Sequence, residues 1–281
     1  TLAQDTVSDS CPFCGNLLVI SAESQKKQLK PKSLLPFKIE QKEAFNSFQK
    51  WIKKLWFTPS GFKKMARVNE KIVGMYIPYW TYDSDTSSDY VGERGDEYTT
   101  TETYTDSSGK KQTRNVTRVR WTRVRGNVKI FFDDVLIVAS ESLPRGIVDR
   151  LEPWDVKDLI PYDEKFLSGF RTESYQLGVK DGFEKAKIKM DDFIRTQIRK
   201  DIGGDRQSIK SVDTEYSNKT FKHILLPIWI RAYKYKNKSY RFLINGRTGQ
   251  VSGQRPYSWL KITGTILLII GIIALIWWLT N

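Results

Sequence analysis

The stretch "YVGERGDEYTTTETYTDSSGKKQTRNVTRVRWTRV", residues 90–124, decides the fold class of this 281-residue chain. It is rich in Thr, Tyr and Val, which favour strands, and the polar run "DSSGKK" interrupts it near its middle. This pattern predicts a long β-hairpin. The segments "KIVGMYIPYWTY" before it and "GNVKIFFDDVLIVAS" after it extend the β region in both directions.

Two amphipathic helices are predicted outside this β region. Residues 40–57 and 179–202 both repeat apolar side chains at a period near 3.6, and Gly203 ends the second helix. Shorter strands are predicted at "LLPFKI", "HILLPIWIRAYKY", "SYRFLING" and "GQVSGQ", with "KNK" and "NGRTG" as turns. The chain is therefore predicted to be α+β, with antiparallel sheets that each pack against an amphipathic helix.

The order of these elements predicts five segments. They are a partial zinc ribbon at 1–22, a linker at 23–33, α+β units at 34–150 and 151–258, and a transmembrane helix at 262–279. Each predicted long helix is followed by a similar motif, "IPYW" in one case and "LPIW" in the other. A duplicated helix-plus-sheet unit would explain this similarity, and so would coincidence between two common strand patterns.

The last predicted segment is an apolar run without a charged residue. Its 18 residues, 262–279, would form a helix about 27 Å long, close to the thickness of the bilayer hydrocarbon. Tryptophans near both ends match the aromatic belts of membrane interfaces. The predicted anchor residues are Trp259, Lys261, Ile262, Trp277, Trp278 and Leu279.

Charge predicts the orientation of this helix. Arg241, Arg247, Arg255 and Lys261 precede the apolar run, and only Thr280 and Asn281 follow it. Because positive residues stay on the cytoplasmic side, we expect a single-pass, tail-anchored protein whose N-terminal body lies in the cytoplasm.

The chain contains two cysteines, Cys11 and Cys14, in the motif "CPFCG". Two thiolates at this spacing are half of a zinc ribbon, and a closed structural zinc site needs four ligands. His223, the one histidine, is a poor third ligand because it lies far away in sequence. A redox pair and an unmetallated turn remain alternatives.

The net charge of +14 favours an anionic partner. One predicted strand concentrates basic side chains around an aromatic ring, as expected of a surface that contacts phosphates and stacks on bases. Its residues are Arg114, Arg118, Arg120, Trp121, Arg123 and Arg125. The alternative is cross-strand pairing with the acidic residues Glu93, Asp96, Glu97 and Glu102.

No catalytic set emerges from the sequence. Asp133 and Asp134 are adjacent, and neighbouring strand residues point to opposite faces, so we do not expect them to share a metal or a proton unless a turn or bulge occurs there. His223 has no nucleophile at a recognisable spacing, and no phosphate-binding loop is present. The chain is therefore predicted not to be an enzyme.

Taken together, the motifs and their order resemble a bacterial family of TFIIB-type zinc-ribbon membrane proteins. Members are often catalogued as primosomal protein N′-like or replication factor Y-like. The resemblance extends from "CPFCG" through "AFNSFQKWIKKLWFTP", "FFDDVLIVAS" and "YRFLINGRTGQVSGQRPYSW" to the terminal apolar helix. It implies zinc as cofactor, held by Cys11 and Cys14 with a further C-x-x-C upstream.

The same resemblance implies an adaptor or scaffold at the bacterial inner membrane. Its partners would be membrane lipid and cytoplasmic proteins, among them PspA-like envelope-stress proteins or SPFH-family proteins. A membrane-tethered nucleic-acid-binding protein is the alternative suggested by the charge. The residues leave open whether the chain forms a homo-oligomer.

Overall fold

The computed structural model describes residues 29–66, 72–105, 107 and 109–280, together with two short strands nearer the N-terminus. These strands, β1 (Ser8–Ser10) and β2 (Leu17–Val19), pair antiparallel. Cys11 and Cys14 lie between them in sequence and outside the described residues. The half ribbon and its two zinc ligands therefore remain predictions.

The rest of the described chain is mixed α and β and is dominated by sheet. Its strands and helices, in chain order, are β3 (Ser33–Leu34), α1 (Gln41–Lys54), α2 (Ser60–Ala66), β4 (Val73–Thr105), β5 (Lys111–Val138), α3 (Arg145–Val148), β6 (Ile160–Pro161), β7 (Arg171–Thr172), α4 (Val179–Ile202), β8 (Arg206–Tyr235), β9 (Lys238–Asn245), β10 (Val251–Gly253) and α5 (Trp259–Thr280). The predicted combination of sheet, two amphipathic helices and one terminal apolar helix is confirmed.

The long hairpin is confirmed as β4 and β5, with 33 and 28 residues. Both strands far exceed the usual length of three to ten residues. The predicted "KNK" turn is also confirmed, because β8 and β9 are joined by Lys236 and Asn237, which have φ values of 48° and 61°. Two consecutive positive φ values are the geometry of a tight hairpin turn.

Some predicted boundaries were wrong. The first helix was predicted to end at residue 57 but ends at Lys54, and a second short helix, α2, follows it. Of the predicted strand "LLPFKI", only Leu34 lies in β3, since Pro36 has no N–H to donate to a ladder. The bounds of α4 agree with the prediction, because Gly203 and Gly204 take positive φ at its end.

The chain divides into two compact units that are interleaved in sequence. Unit 1 contains Thr1–Tyr79, Val138–Leu177 and His223–Asn281, and unit 2 contains Trp80–Ile137 and Gly178–Lys222. They do not coincide with the consecutive segments 34–150 and 151–258. The reason is that β4 and β8 each contribute residues to both units.

In unit 1 the sheet order is β10-β9-β8-β3-β6, and the start of β4 pairs with β7. The pairings β3–β8 and β4–β7 are parallel, whereas an antiparallel sheet was expected throughout. Helix α1 packs on this sheet through Phe48, whose ring stacks on Phe242 with centroids 3.8 Å apart. An aromatic core below α1 therefore holds the unit together.

In unit 2, β4 pairs with both β5 and β8, and α4 supplies the helical layer. The buried residues of α4 recur every four positions: Gly182, Ala186, Met190, Ile194, Ile198 and Ile202. The hydroxyl of Tyr82 donates a hydrogen bond to the carbonyl of Val179 at 2.7 Å. A Cβ at Gly182 would lie 2.2 Å from that hydroxyl oxygen, so the close approach of α4 requires glycine here.

Candidate membrane-contacting site

Helix α5 has no buried side chain, although it is the most apolar helix of the described chain. Its 22 residues correspond to about 33 Å of helix, which is long and apolar enough to cross a membrane. It begins at Trp259, three residues earlier than predicted, so Trp259 and Lys261 belong to its first turn. Trp277 and Trp278 lie at the opposite end and are largely exposed.

The few polar side chains of α5 are satisfied inside the helix. The hydroxyls of Thr263, Thr265 and Thr280 donate to the carbonyls four residues earlier, at 2.9, 2.8 and 2.9 Å. An unsatisfied hydroxyl would be costly in hydrocarbon. The threonines are therefore compatible with burial of α5 in lipid.

The start of α5 is hydrogen-bonded to the loop that follows α1 in unit 1. The Nζ of Lys261 donates to the carbonyl oxygens of Thr58 and Trp56, at 2.8 and 3.4 Å. The amide of Ser258 donates to the carbonyl of Phe57 at 2.7 Å. Trp56 itself is 72% exposed beside these contacts. A membrane entered by α5 would therefore meet a second exposed tryptophan, from the loop after α1.

A groove of about 800 Å³, here called the anchor groove, lies in unit 1 next to the base of α5. Arg150, Lys238 and Arg255 line it together with the carboxylate of Glu152. Trp51, Tyr240 and Tyr257 supply aromatic walls, and Val251–Gly253 of β10 lies between them. The guanidinium of Arg255 lies over the ring of Tyr257, 5.2 Å from its centroid. The groove is therefore basic and partly aromatic.

The predicted basic strand forms the first half of β5, whose Arg114, Arg118, Arg120, Trp121, Arg123 and Arg125 are all exposed. Of the expected ion pairs across the hairpin, Glu102 makes two, with Arg114 and Arg118. The other three predicted acidic residues pair elsewhere: Glu93 with Lys210, Asp96 with Arg94, and Glu97 with Arg206. Cross-strand pairing thus accounts for part of this basic surface.

Aromatic side chains are also exposed on this part of the hairpin. Tyr98, Tyr104 and Trp121 are 42%, 41% and 47% exposed. The guanidinium of Arg120 lies 5.3 Å from the ring centroid of Tyr98, and that of Arg114 lies 5.5 Å from the ring centroid of Tyr104. Arginine and aromatic residues together are the composition of protein interface hot spots. We call these five residues the hairpin surface.

Asp133 and Asp134 do not follow the simple alternation of a strand. Asp134 has a φ of 52°, which breaks the alternation of the strand. As a result, ligand oxygens of Asp83, Asp133 and Asp134 all lie within 4.8 Å of one another. Lys222 Nζ lies 3.0 Å from Asp134 and 3.7 Å from Asp83, so the ammonium group of Lys222 forms salt bridges with two of these carboxylates.

The pKa values of Asp83 and Lys222 shift toward the charged forms. Burial raises the pKa of Asp83, but hydrogen bonds from the Thr220 hydroxyl and the Asp134 amide, with the charge of Lys222, hold it below its usual value. Burial lowers the pKa of Lys222, and the nearby carboxylates outweigh this effect and raise it. Lys222 therefore offsets part of the negative charge of the three carboxylates, and the contacts within the cluster form a polar network.

We expect Lys222→Met to destabilise unit 2 by about 1–3 kcal/mol near neutral pH, because two half-buried carboxylates lose their cation. The pKa of Asp83 is lower in the folded state than in the unfolded state. The ionised carboxylate therefore stabilises the fold at pH values above its unfolded-state pKa, and this stabilisation is lost as the pH falls through its folded-state pKa. The deficit of the variant should therefore shrink on acidification. Urea unfolding at several pH values measures it.

Lys129→Met is the matched control for this experiment, because Lys129 is exposed on β5 and its charge faces no salt-bridge partner among the described residues. It should change the free energy of unfolding by less than about 0.5 kcal/mol. Equal losses in the two variants, or a deficit that grows at low pH, would contradict the assigned role of Lys222.

His223 lies in β8 as predicted, and its Nδ1 is 2.8 Å from the carbonyl oxygen of Leu29. Burial lowers the pKa of its imidazole. The hydrogen bond to the backbone gives His223 a structural role in unit 1. This contact does not favour His223 as a ligand that completes the predicted zinc site.

Comparison with known proteins adds little to the functional question. No family model matches the chain, and no solved structure matches it. Among curated proteins, the chain is similar to the uncharacterized protein YdjG of Bacillus subtilis (strain 168). The two are 28% identical over 248 residues, which span 85% of this chain and 67% of YdjG. Function must therefore be inferred from the geometry of the chain itself.

Proposed function

We propose that this protein is a membrane-anchored adaptor that assembles with protein partners at the cytoplasmic face of the bacterial inner membrane. The observation that carries the proposal is α5, an apolar helix without buried residues that is fastened to a folded body. Lys261 and Arg255 lie on the body side of the helix, which supports a cytoplasmic body. Anchoring raises the effective concentration of the body near membrane partners.

The hairpin surface is the best candidate for the partner contact. It combines exposed arginines with three exposed aromatic rings on the long strands β4 and β5. Such a surface suits an acidic protein partner, and PspA-like or SPFH-family proteins are the candidates implied by the family resemblance.

The test is affinity capture of the full chain from solubilised membranes, compared with the variant Tyr98→Ala/Trp121→Ala. We expect the wild-type chain to recover a stoichiometric protein partner. The variant should recover at least 90% less of this partner, about a tenfold reduction, because each hot-spot aromatic residue contributes about 2 kcal/mol or more of binding free energy. Quantitative mass spectrometry of the eluates provides the measurement.

Phe131→Ala is the matched control, since Phe131 is an exposed aromatic residue of β5 outside the hairpin surface. It should recover the partner at the wild-type level. Capture of nucleic acid without a protein partner, falling steeply with salt, would instead favour the nucleic-acid-binding alternative. Equal capture by wild type and the hairpin variant would exclude this surface.

A further inference from the structure

We propose that the anchor groove binds the phosphate-bearing headgroup of an anionic phospholipid from the membrane that α5 enters. This inference deepens the proposed anchoring and rests on it. It assigns a lipid class to a site that neither the sequence motifs nor the comparisons point to. Three observations carry it: the charge of the groove, its position beside α5, and its aromatic walls.

The groove carries an excess of positive charge. Arg150, Lys238 and Arg255 face one carboxylate, Glu152, and none of the three cations forms a salt bridge with another residue of the described chain. Guanidinium groups bind phosphate oxygens through two parallel hydrogen bonds, and an ammonium adds a compact point charge. Basic side chains that line a concave surface and outnumber its carboxylates suit an anionic phosphate.

The groove also lies close to the start of α5. Arg255 is four residues before Trp259, where α5 begins, so an extended connection places it at most about 14 Å from the start of the helix. Tryptophan at the end of a spanning helix marks the interface, and the polar headgroup layer extends roughly 5–8 Å beyond the hydrocarbon. Tyr257, between the two residues and 57% exposed, fits the same interface.

The walls of the groove favour a lipid over a free phosphate ion. Trp51, Tyr240 and Tyr257 present aromatic surface beside the three cations, and a volume of about 800 Å³ exceeds what inorganic phosphate would fill. A phosphatidylglycerol headgroup offers an anionic phosphate, a glycerol that can contact the rings, and acyl chains that remain in the bilayer. Both the polar and the aromatic parts of the groove would then be used.

The test uses the full-length chain in mixed detergent micelles, titrated with phosphatidylglycerol or with phosphatidylcholine. We expect the wild type to prefer phosphatidylglycerol. The variant Arg150→Gln/Lys238→Gln/Arg255→Gln should bind this lipid at least 30-fold more weakly, because each charge lost near a membrane surface lowers the affinity roughly fivefold. The charge-retaining variant Arg150→Lys/Arg255→Lys should keep most of the preference. Native mass spectrometry of the retained lipid reports the binding.

A second triple variant, Arg145→Gln/Lys157→Gln/Lys165→Gln, removes the same charge from exposed positions of unit 1 outside the groove. It should bind phosphatidylglycerol like the wild type, and equal losses in both triple variants would overturn the proposal. Competition by soluble glycerol phosphate at the same phosphate concentration as the lipid would also overturn it, in favour of a free anion.

Liposome flotation separates this inference from the anchoring on which it rests. If α5 anchors the chain, the groove variant should float with liposomes as the wild type does and lose only the lipid preference. A wild-type chain that fails to float would contradict the anchor. A chain that floats without any preference for phosphatidylglycerol would contradict the groove alone.

Discussion

Replacing Ile269 and Ile273 with arginine is expected to move the chain from the membrane fraction to the soluble fraction. Both residues lie near the middle of α5 and are exposed, so the substitutions leave the core of unit 1 unchanged. Each arginine near the centre of a spanning helix costs about 3 kcal/mol of insertion free energy. The two together outweigh the favourable insertion free energy of many of the apolar residues in α5. Flotation of cell membranes on a density gradient measures the shift.

Ile188→Arg is the matched control for the anchor experiment. Ile188 is a largely exposed isoleucine of α4, so the same chemical change occurs on a helix that is not predicted to enter lipid. This variant should stay with the membranes. If the doubly substituted chain still floats and resists extraction at alkaline pH, α5 is not the anchor, and both the adaptor and the lipid proposals lose their basis.

Phe48→Ala is expected to cost about 3–5 kcal/mol of unfolding free energy in unit 1. Phe48 is fully buried on α1, stacks on Phe242 with ring centroids 3.8 Å apart, and lies 6.0 Å from the ring centroid of Trp51. Truncation removes these aromatic contacts and leaves a cavity between the helix and β9. Urea unfolding followed by near-ultraviolet circular dichroism, which reports aromatic packing, is the measurement.

Phe45→Ala provides the comparison, because Phe45 lies on the same helix and is only partly buried. Both variants change helix propensity equally, so their difference isolates the buried packing of Phe48. We expect Phe45→Ala to cost about 1–2 kcal/mol. Similar losses in the two variants would show that α1 is stabilised mainly by its local sequence rather than by the aromatic core below it.

Much of the fold could be predicted from the sequence because the signals are local. The period of apolar residues marked both long helices, and Gly203 with Gly204 marked the end of α4. Terminal Trp259, Trp277 and Trp278 around an uncharged run were enough to indicate α5. Each of these features depends on residues within a few turns of helix, which a linear pattern records directly.

The candidate sites were less accessible to sequence reasoning. Asp134 adopts a positive φ without being a glycine, and its carboxylate lies with that of Asp83 against the same cation, Lys222. The pairing of Glu102 with Arg118 followed from the hairpin, but the partner of Glu97 is Arg206, 109 residues away on β8. Such contacts depend on strand order and register, which local patterns do not specify.

The sequence by itself determined the apolar terminal helix, the strand-rich body and the basic hairpin, since composition and periodicity act over short distances along the chain. The tertiary structure alone decided that Arg150, Lys238 and Arg255 line one groove beside that helix. They come from three separate segments of the chain, so only the packing of the turn Asp149–Leu151 against β9 and β10 brings their charges to one surface.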